Sequence, residues 1–128
     1  MSMSGGNTLI VDDEIDVRLL VQLLINRENH GLHVVGEASS GEQALQLRRD
    51  LDVDVVVLDH RMPGLTGLET ATQMLAEAPD LPIILFSAFT DDRMREEAQQ
   101  IGVRDCIPKD DGPRLIATLR ELTGLPAG

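Results

Sequence analysis

Residues Val53 to Leu58 hold Val-Val-Val-Leu in succession at 55 to 58, and the run stops at Asp59. A block this short and this apolar fits a strand covered on both faces better than a helix. Thr8-Leu9-Ile10-Val11, stopping at Asp12-Asp13, repeats the pattern, and so does Leu81 to Phe86, stopping at Ser87. Shorter strands are expected at His33-Val34-Val35-Gly36 and at Cys106-Ile107, the latter ending near Lys109.

Helical spacing fills the intervals. Ile15, Leu19, Leu20, Leu23 and Leu24 predict one wide buried stripe on a first helix, with acidic residues at its start and Gly31 after its end. Ser39-Ser40-Gly41-Glu42 reads as a capping box for a second helix to about Asp50, and Thr66-Gly67-Leu68-Glu69 as one for a third. In the third, Leu68, Ala71, Met74 and Leu75 face inward. The fourth, about Asp91 to Gln100, has a thin stripe of Met94, Ala98 and Ile101 before Gly102. Asp111-Gly112-Pro113 opens the fifth, with Leu115, Ile116, Leu119 and Leu122 inward. Five strands alternating with five helices predict a single doubly wound α/β domain over residues 7–123. Residues 1–6 are expected to be a disordered leader, and 124–128 a tail or truncated linker.

Composition removes several functions. The chain has 128 residues, enough for one ordinary core, and one cysteine, so neither an intrachain disulfide nor a cysteine zinc site can form. A net charge of −11 repels nucleic-acid phosphates and anionic lipid. No apolar run approaches the roughly 18 residues of a membrane helix, and MSMSGG lacks the features of a secretory signal, so a soluble cytoplasmic chain is expected. Without Trp or Tyr, and with two Phe, stacking on bases or flat cofactors is disfavoured. Lys109 is the single lysine among 11 cationic residues.

In an open parallel sheet the binding crevice lies beyond the carboxyl ends of the strands. Asp12, Asp13, Asp59, Ser87 and Lys109 all fall there. Taken singly, Asp12 or Asp13 reads as a helix N-cap, Asp59 as a turn residue before Pro63-Gly64, Ser87 as a loop hydroxyl and Lys109 as a solvated cation. Together they make a site. Three neighbouring carboxylates repel one another until a hard cation such as Mg²⁺ joins them. A lysine and a serine can then hold phosphoryl oxygens, and a carboxylate can act as nucleophile.

Val11-Asp12-Asp13-Glu14, Leu58-Asp59-His60-Arg61-Met62-Pro63-Gly64, Ile84-Leu85-Phe86-Ser87-Ala88 and Ile107-Pro108-Lys109 resemble the motifs of response-regulator receiver domains, in order and over about residues 7–123. The resemblance implies a flavodoxin-like sheet of strand order 2-1-3-4-5 and a two-component signalling role. Asp59 would be the phosphoacceptor, supplied by a sensor histidine kinase, a phosphotransfer protein or a small phosphodonor. Asp13 would ligate Mg²⁺ directly, Asp12 mainly through water, with Asp59 and the Arg61 backbone carbonyl as further ligands. Ser87 and Lys109 would hold the phosphoryl group.

Such a chain is a signalling domain rather than an enzyme. Its partner, a downstream protein or fused output domain, would meet the face of the fourth helix, fifth strand and fifth helix, and a homodimer is compatible with the family. Two residues depart from the pattern. Cys106 stands where similar domains carry Tyr or Phe, and Asp110 rather than proline follows the lysine. With no ring at Cys106, the signal is expected to run from Ser87 through Phe89 and the following helix.

Other functions fit less well. A flavin-binding relative would need a phosphate-cradling loop where Asp12-Asp13-Glu14 stands. Neither a dinucleotide glycine fingerprint nor a P-loop occurs. An aspartate-nucleophile hydrolase would need a substrate cap for which the chain has no room. A phosphorylation-independent pseudo-receiver, used only as a binding scaffold, is the alternative from another class.

Overall fold

The structure is a computed structural model that describes residues 5–28 and 31–125, the Glu28 side chain excepted. In chain order the elements are β1 (Asn7–Val11), α1 (Ile15–Glu28), β2 (His33–Ala38), α2 (Gly41–Asp50), β3 (Val55–Leu58), α3 (Gly67–Glu77), β4 (Ile83–Ser87), α4 (Asp92–Ile101), β5 (Asp105–Pro108) and α5 (Gly112–Thr123). All strand pairs are parallel, in the order β2-β1-β3-β4-β5. The reversal of strand order therefore lies between β1 and β3, where the crevice of a doubly wound sheet opens.

Side chains of period two divide the core. Leu9, Val11, Val56, Leu58, Ile83 and Leu85 pack with Ala44, Leu45, Leu68, Ala71, Met74 and Ala98 on the side of α2, α3 and α4. Ile10, Val55, Val57, Ile84, Phe86 and Ile107 pack with Val21, Ile25, Leu115, Ile116 and Leu119 on the side of α1 and α5. Every residue of β3 and β4 is buried.

Local details shift the expected boundaries. β3 starts at Val55 rather than Val53, because Asp54 turns its carboxylate to the Asn7 N–H at 2.9 Å. β4 starts at Ile83, after Pro82, whose carbonyl accepts from Val56 N–H at 3.0 Å but which has no N–H of its own to give. The second helix is capped one residue later than the sequence suggests: Ser40 accepts from Gln43 N–H, while Glu42 receives Leu65 N–H at 3.1 Å from the loop beyond β3. The Thr66–Glu69 box is present as expected. Helix α4 ends at Gly102, whose φ of 110° lies in the left-handed region.

One expectation fails outright. The stripe Ile15, Leu19, Leu20, Leu23 does not face the core; those four are 68, 52, 45 and 57% exposed. The buried face is Val21 and Ile25, with Val17 and Leu24 packed beside them. Helix α1 is apolar on both sides, so spacing alone allowed two stripes, and contact with the sheet and α5 selects one.

Of the expected leader, residues 1–4 lie outside those described, whereas the Gly6 carbonyl accepts from His33 N–H at 2.8 Å. At the other end Leu125 N–H donates to Arg120, and 126–128 lie outside the described residues. No helix among the described residues is long and apolar enough to cross a membrane.

The two stripes of α1 are separable by truncation. Ile25→Ala should lower the unfolding free energy by about 2–5 kcal/mol, the range for a buried aliphatic residue. Leu19→Ala should stay within about 0.5 kcal/mol. Urea denaturation at micromolar concentration measures both, and a reversed order would mean that α1 is rotated on the sheet.

Candidate functional site

Strand register brings the site together. Val11 pairs with Leu58 and Leu58 with Leu85, so Asp12 and Asp59 leave the sheet side by side, one residue below the level of Ser87. Ser87 in turn pairs with Pro108, which places Lys109 just past it. Backbone bonds fix these exits: Asp59 N–H donates to Val11 at 2.9 Å, Asp12 N–H to Ala38 at 3.0 Å, and Lys109 N–H to Ser87 at 3.0 Å.

Asp12, Asp59 and Ser87 are only 2, 3 and 2% exposed. Lys109 reaches back between the two carboxylates, with its Nζ 2.9 Å from Asp12 Oδ2 and 3.4 Å from Asp59 Oδ1. Asp12 Oδ1 accepts from Glu14 N–H at 2.9 Å, so both oxygens of Asp12 are engaged. Asp13 beside it is exposed.

One lysine facing two buried carboxylates leaves the site negative. Burial first, and the charge of Asp12 second, push the Asp59 carboxyl up to about 6, against the opposing pull of Lys109. Burial works against the charge of Lys109, but its hydrogen bond to Asp12 and the charges of Asp12 and Asp59 outweigh that and raise its pKa.

Oxygen atoms of Asp12, Asp13 and Glu14 lie within 4.8 Å of one another. Hard carboxylate oxygens at this spacing beside a negative buried site fit a small divalent cation. Glu14 is a neighbour that the sequence reading used only as part of a motif. Arg18 was missed as well: its guanidinium donates to the Asp12 carbonyl at 2.6 Å and to Glu37 at 3.2 Å, tying α1 to the end of β1. Nothing in an arginine on an amphipathic helix signals such a bond.

The loop after β3 is clamped where it leaves Asp59. Gly67 N–H donates to the His60 carbonyl at 2.8 Å, and a Cβ on Gly67 would collide with the Asp59 carbonyl and the His60 Cα. Arg61 swings outward to lie over the Phe89 ring, 4.7 Å from its centroid. Phe89 is 65% exposed, and the two cover one side of a hollow of about 260 Å³ bounded by His60, Leu68, Asp91 and Met94. Phe89 thus sits at the crevice rim, outside the core.

Cys106 is buried, and burial pushes its thiol pKa up, so it fills space as a neutral group. The connection between the β4–α4 loop and β5 comes instead from Arg95. Its guanidinium donates to Thr90 Oγ1 at 2.9 Å and to the Cys106 carbonyl at 3.2 Å. The sequence reading missed this residue, since an arginine on a polar helix reads as solvated.

Comparison with known proteins agrees with this geometry. The family described as response regulator receiver domain matches residues 8–120. The chain is similar to protein-glutamate methylesterase/protein-glutamine glutaminase 1 of Syntrophomonas wolfei, with 38% identity over 112 residues, 86% of this chain and 31% of that protein. It is similar also to response regulator GacA of Pseudomonas aeruginosa, 34% identical over 116 residues, 89% of this chain and 53% of GacA. It therefore spans from just under a third to about half the length of these relatives. The response regulator domain of Thermotoga maritima CheB superposes with a TM-score of 0.86 at 26% identity, over 94% of this chain and 98% of that one.

The raised Asp59 carboxyl has a thermodynamic consequence. Between about pH 4, the ordinary carboxylate value, and about 6 the native state binds more protons than the unfolded chain, so Asp59 lowers stability as pH rises through that window. Without added divalent cation, Asp59→Asn should raise the melting temperature at pH 8, and the gain should shrink to nothing as pH falls below about 4. Thermal melts of both proteins across this range are the check; a pH-independent difference would contradict the assignment.

Proposed function

The chain belongs to the response regulator receiver family, and on that premise we propose that it accepts a phosphoryl group on Asp59 from a sensor histidine kinase, a phosphotransfer protein or a small phosphodonor. The observation that carries the reading is the pair of buried carboxylates, Asp12 and Asp59, bridged by the half-buried Lys109, in which one carboxylate is raised but still ionised near neutral pH. An Asp59 oxygen attacks the donor phosphorus, the bond from phosphorus to the donor nitrogen or oxygen breaks, and an acyl phosphate remains. Lys109 and the Ser87 hydroxyl face the phosphoryl oxygens as they arrive.

Mg²⁺, when bound, would neutralise the carboxylates and polarise the phosphoryl group. Asp13, the exposed carboxylate, is the direct ligand in this reading, with Asp59 and the Arg61 carbonyl. Asp12, whose two oxygens are already engaged by Lys109 and Glu14 N–H, acts mainly through water. The domain is a cytoplasmic signalling module and not an enzyme in its own right; residues 7–123 form it, and it binds neither nucleic acid nor membrane itself.

The added charge, about −1.5 to −2, draws Ser87 and the loop after it. Only Ala98 of α4 is fully buried, so this helix is the easiest element to shift. Phe89 leaves or tightens its stack on Arg61, and Arg95 passes the movement of Thr90 to β5 without an aromatic at Cys106. The face of α4, β5 and α5 then meets a downstream protein or an output domain of the same chain.

With acetyl phosphate and Mg²⁺, intact mass should rise by one phosphoryl group, and Asp59→Asn should abolish the gain. Asp13→Ala should raise the Mg²⁺ requirement more than Asp12→Ala. Labelling of the Asn variant equal to that of the parent would refute the acceptor, and an unlabelled parent would favour the scaffold alternative.

Hydrogen exchange with and without beryllofluoride should change across residues 87–101. Changes restricted to α1 and α2 would contradict the proposed route.

A further inference from the structure

Residues 61–65 carry the chain from the end of β3 to the cap of α3. Both ends of this passage are fixed: Asp59 N–H donates to the Val11 carbonyl, and Gly67 N–H to that of His60. Its middle is tied to a different element, α2. Leu65 N–H donates to Glu42 Oε1 at 3.1 Å. Gly64, one residue earlier, turns through the left-handed region at φ 80°, and a Cβ built on it would stand 3.0 Å from the same Glu42 oxygen. The carboxylate therefore lies against the turn as well as accepting from the residue after it.

A glutamate in the first turn of a helix ordinarily complements the helix dipole. Exposure alone would leave Glu42 with that role. Its bond to Leu65, however, is charge-assisted and joins residues 23 apart in the chain. The helix that carries it is firmly seated, with Ser40 as its cap and Ala44 and Leu45 buried. A Cβ on Gly41 would collide with Thr70 Oγ1 and come within 2.9 Å of Leu65 Cβ, so the start of α2 is pressed directly against the loop and α3.

The function proposed above gives the Arg61 carbonyl, three residues before Gly64, to Mg²⁺. A backbone ligand has no rotamer to adjust, and its place is set by the course of the loop. We propose that Glu42 is a positioning residue for the cation: by holding Leu65 N–H and the Gly64 turn, it keeps the β3–α3 loop in the course that offers the Arg61 carbonyl. The inference rests on that reading of the site. It assigns Glu42 no contact with the metal or the phosphoryl group.

Calorimetric titration with Mg²⁺ alone, without a phosphodonor, tests it. Glu42→Ala should weaken binding about fivefold, the factor that one net hydrogen bond is worth. Glu42→Gln loses the same charge but keeps an oxygen acceptor, and should stay within about twofold of the parent. Ser40→Ala removes the cap of the same helix; it should lower the melting temperature and leave Mg²⁺ affinity unchanged. Without metal, the Leu65 amide should exchange faster in Glu42→Ala than in the parent or in Glu42→Gln. With acetyl phosphate, Glu42→Ala should need more Mg²⁺ for its half-maximal labelling rate and reach the parent's rate at saturation.

A Glu42→Ala variant that binds Mg²⁺ as tightly as the parent overturns the proposal and leaves the reading of Asp59 intact. Glu42→Gln as weak as Glu42→Ala overturns it too, because charge and not the hydrogen bond would then be at work. Equal losses in Ser40→Ala and Glu42→Ala assign the effect to helix stability and overturn it likewise. A parent that binds no Mg²⁺ overturns the metal reading and this inference with it.

Discussion

Two buried carboxylates share one ammonium group at the open edge of the sheet, and the rest of the molecule is arranged around that imbalance. Lys109 lies closer to Asp12 than to Asp59, 2.9 against 3.4 Å, so Asp12 takes most of its charge. Asp59 is left buried beside a like charge that is only partly compensated, and its carboxyl rises to about 6. Breaking a buried ion pair leaves an uncompensated charge in a poor solvent, which makes the positions of all three groups interdependent. The net deficit is cationic, and the exposed Asp13 and Glu14 lie on the side from which a cation would arrive.

Such an arrangement needs a rigid frame, because carboxylates forced together would otherwise move apart. The frame is the central pair of strands. β3 is buried along its whole length and is flanked by β1 and β4, so Asp59 leaves a strand that cannot slip by one residue without turning its apolar side chains into the wrong layer. Gly67 adds a second constraint, since only a residue without a Cβ lets the start of α3 come against the Asp59 carbonyl. On the α4 side the loop is held by Arg95, through Thr90 and the Cys106 carbonyl, rather than by packed backbone, and the anchoring is uneven across the site.

How much of this could be read from the chain depends on where the information is stored. Apolar runs that stop at Asp12, Asp59 and Ser87 disclose both the strands and the edge at which they end, because burial on both faces leaves little ambiguity. Strand order came from the family motifs, since no local pattern encodes which strands are neighbours. Helix α1 was misread because leucines surround it, and periodicity cannot choose between two apolar faces. The cap of α2 was misplaced by one residue because Ser39 and Ser40 are adjacent, and the structure uses Ser40. Arg18 and Arg95 were invisible for another reason: their bonds run to the backbone of other elements, and those partners are set by the fold.

Under the proposed function, the uneven anchoring would also give the signal a direction. A phosphoryl group on Asp59 would bring about −1.5 to −2 charges into a site already short of cations. Part of that charge can be met by Lys109, and the remainder calls for donors that must come to it. Toward α1, Arg18 already holds the Asp12 carbonyl and Glu37, and Val21 and Ile25 are packed into the core. Movement there would break bonds that are formed. Toward α4, Ala98 is the one fully buried residue, and Phe89 is in solvent with a single arginine across its face. In the proposed reading, movement on that side would exchange one exposed stack and the Arg95 loop contacts for a charge-assisted hydrogen bond from Ser87, which is the stronger interaction. In the proposed reading, the same deficit of positive charge that would make the site receptive to a cation would also set which half of the domain yields when an anion is added.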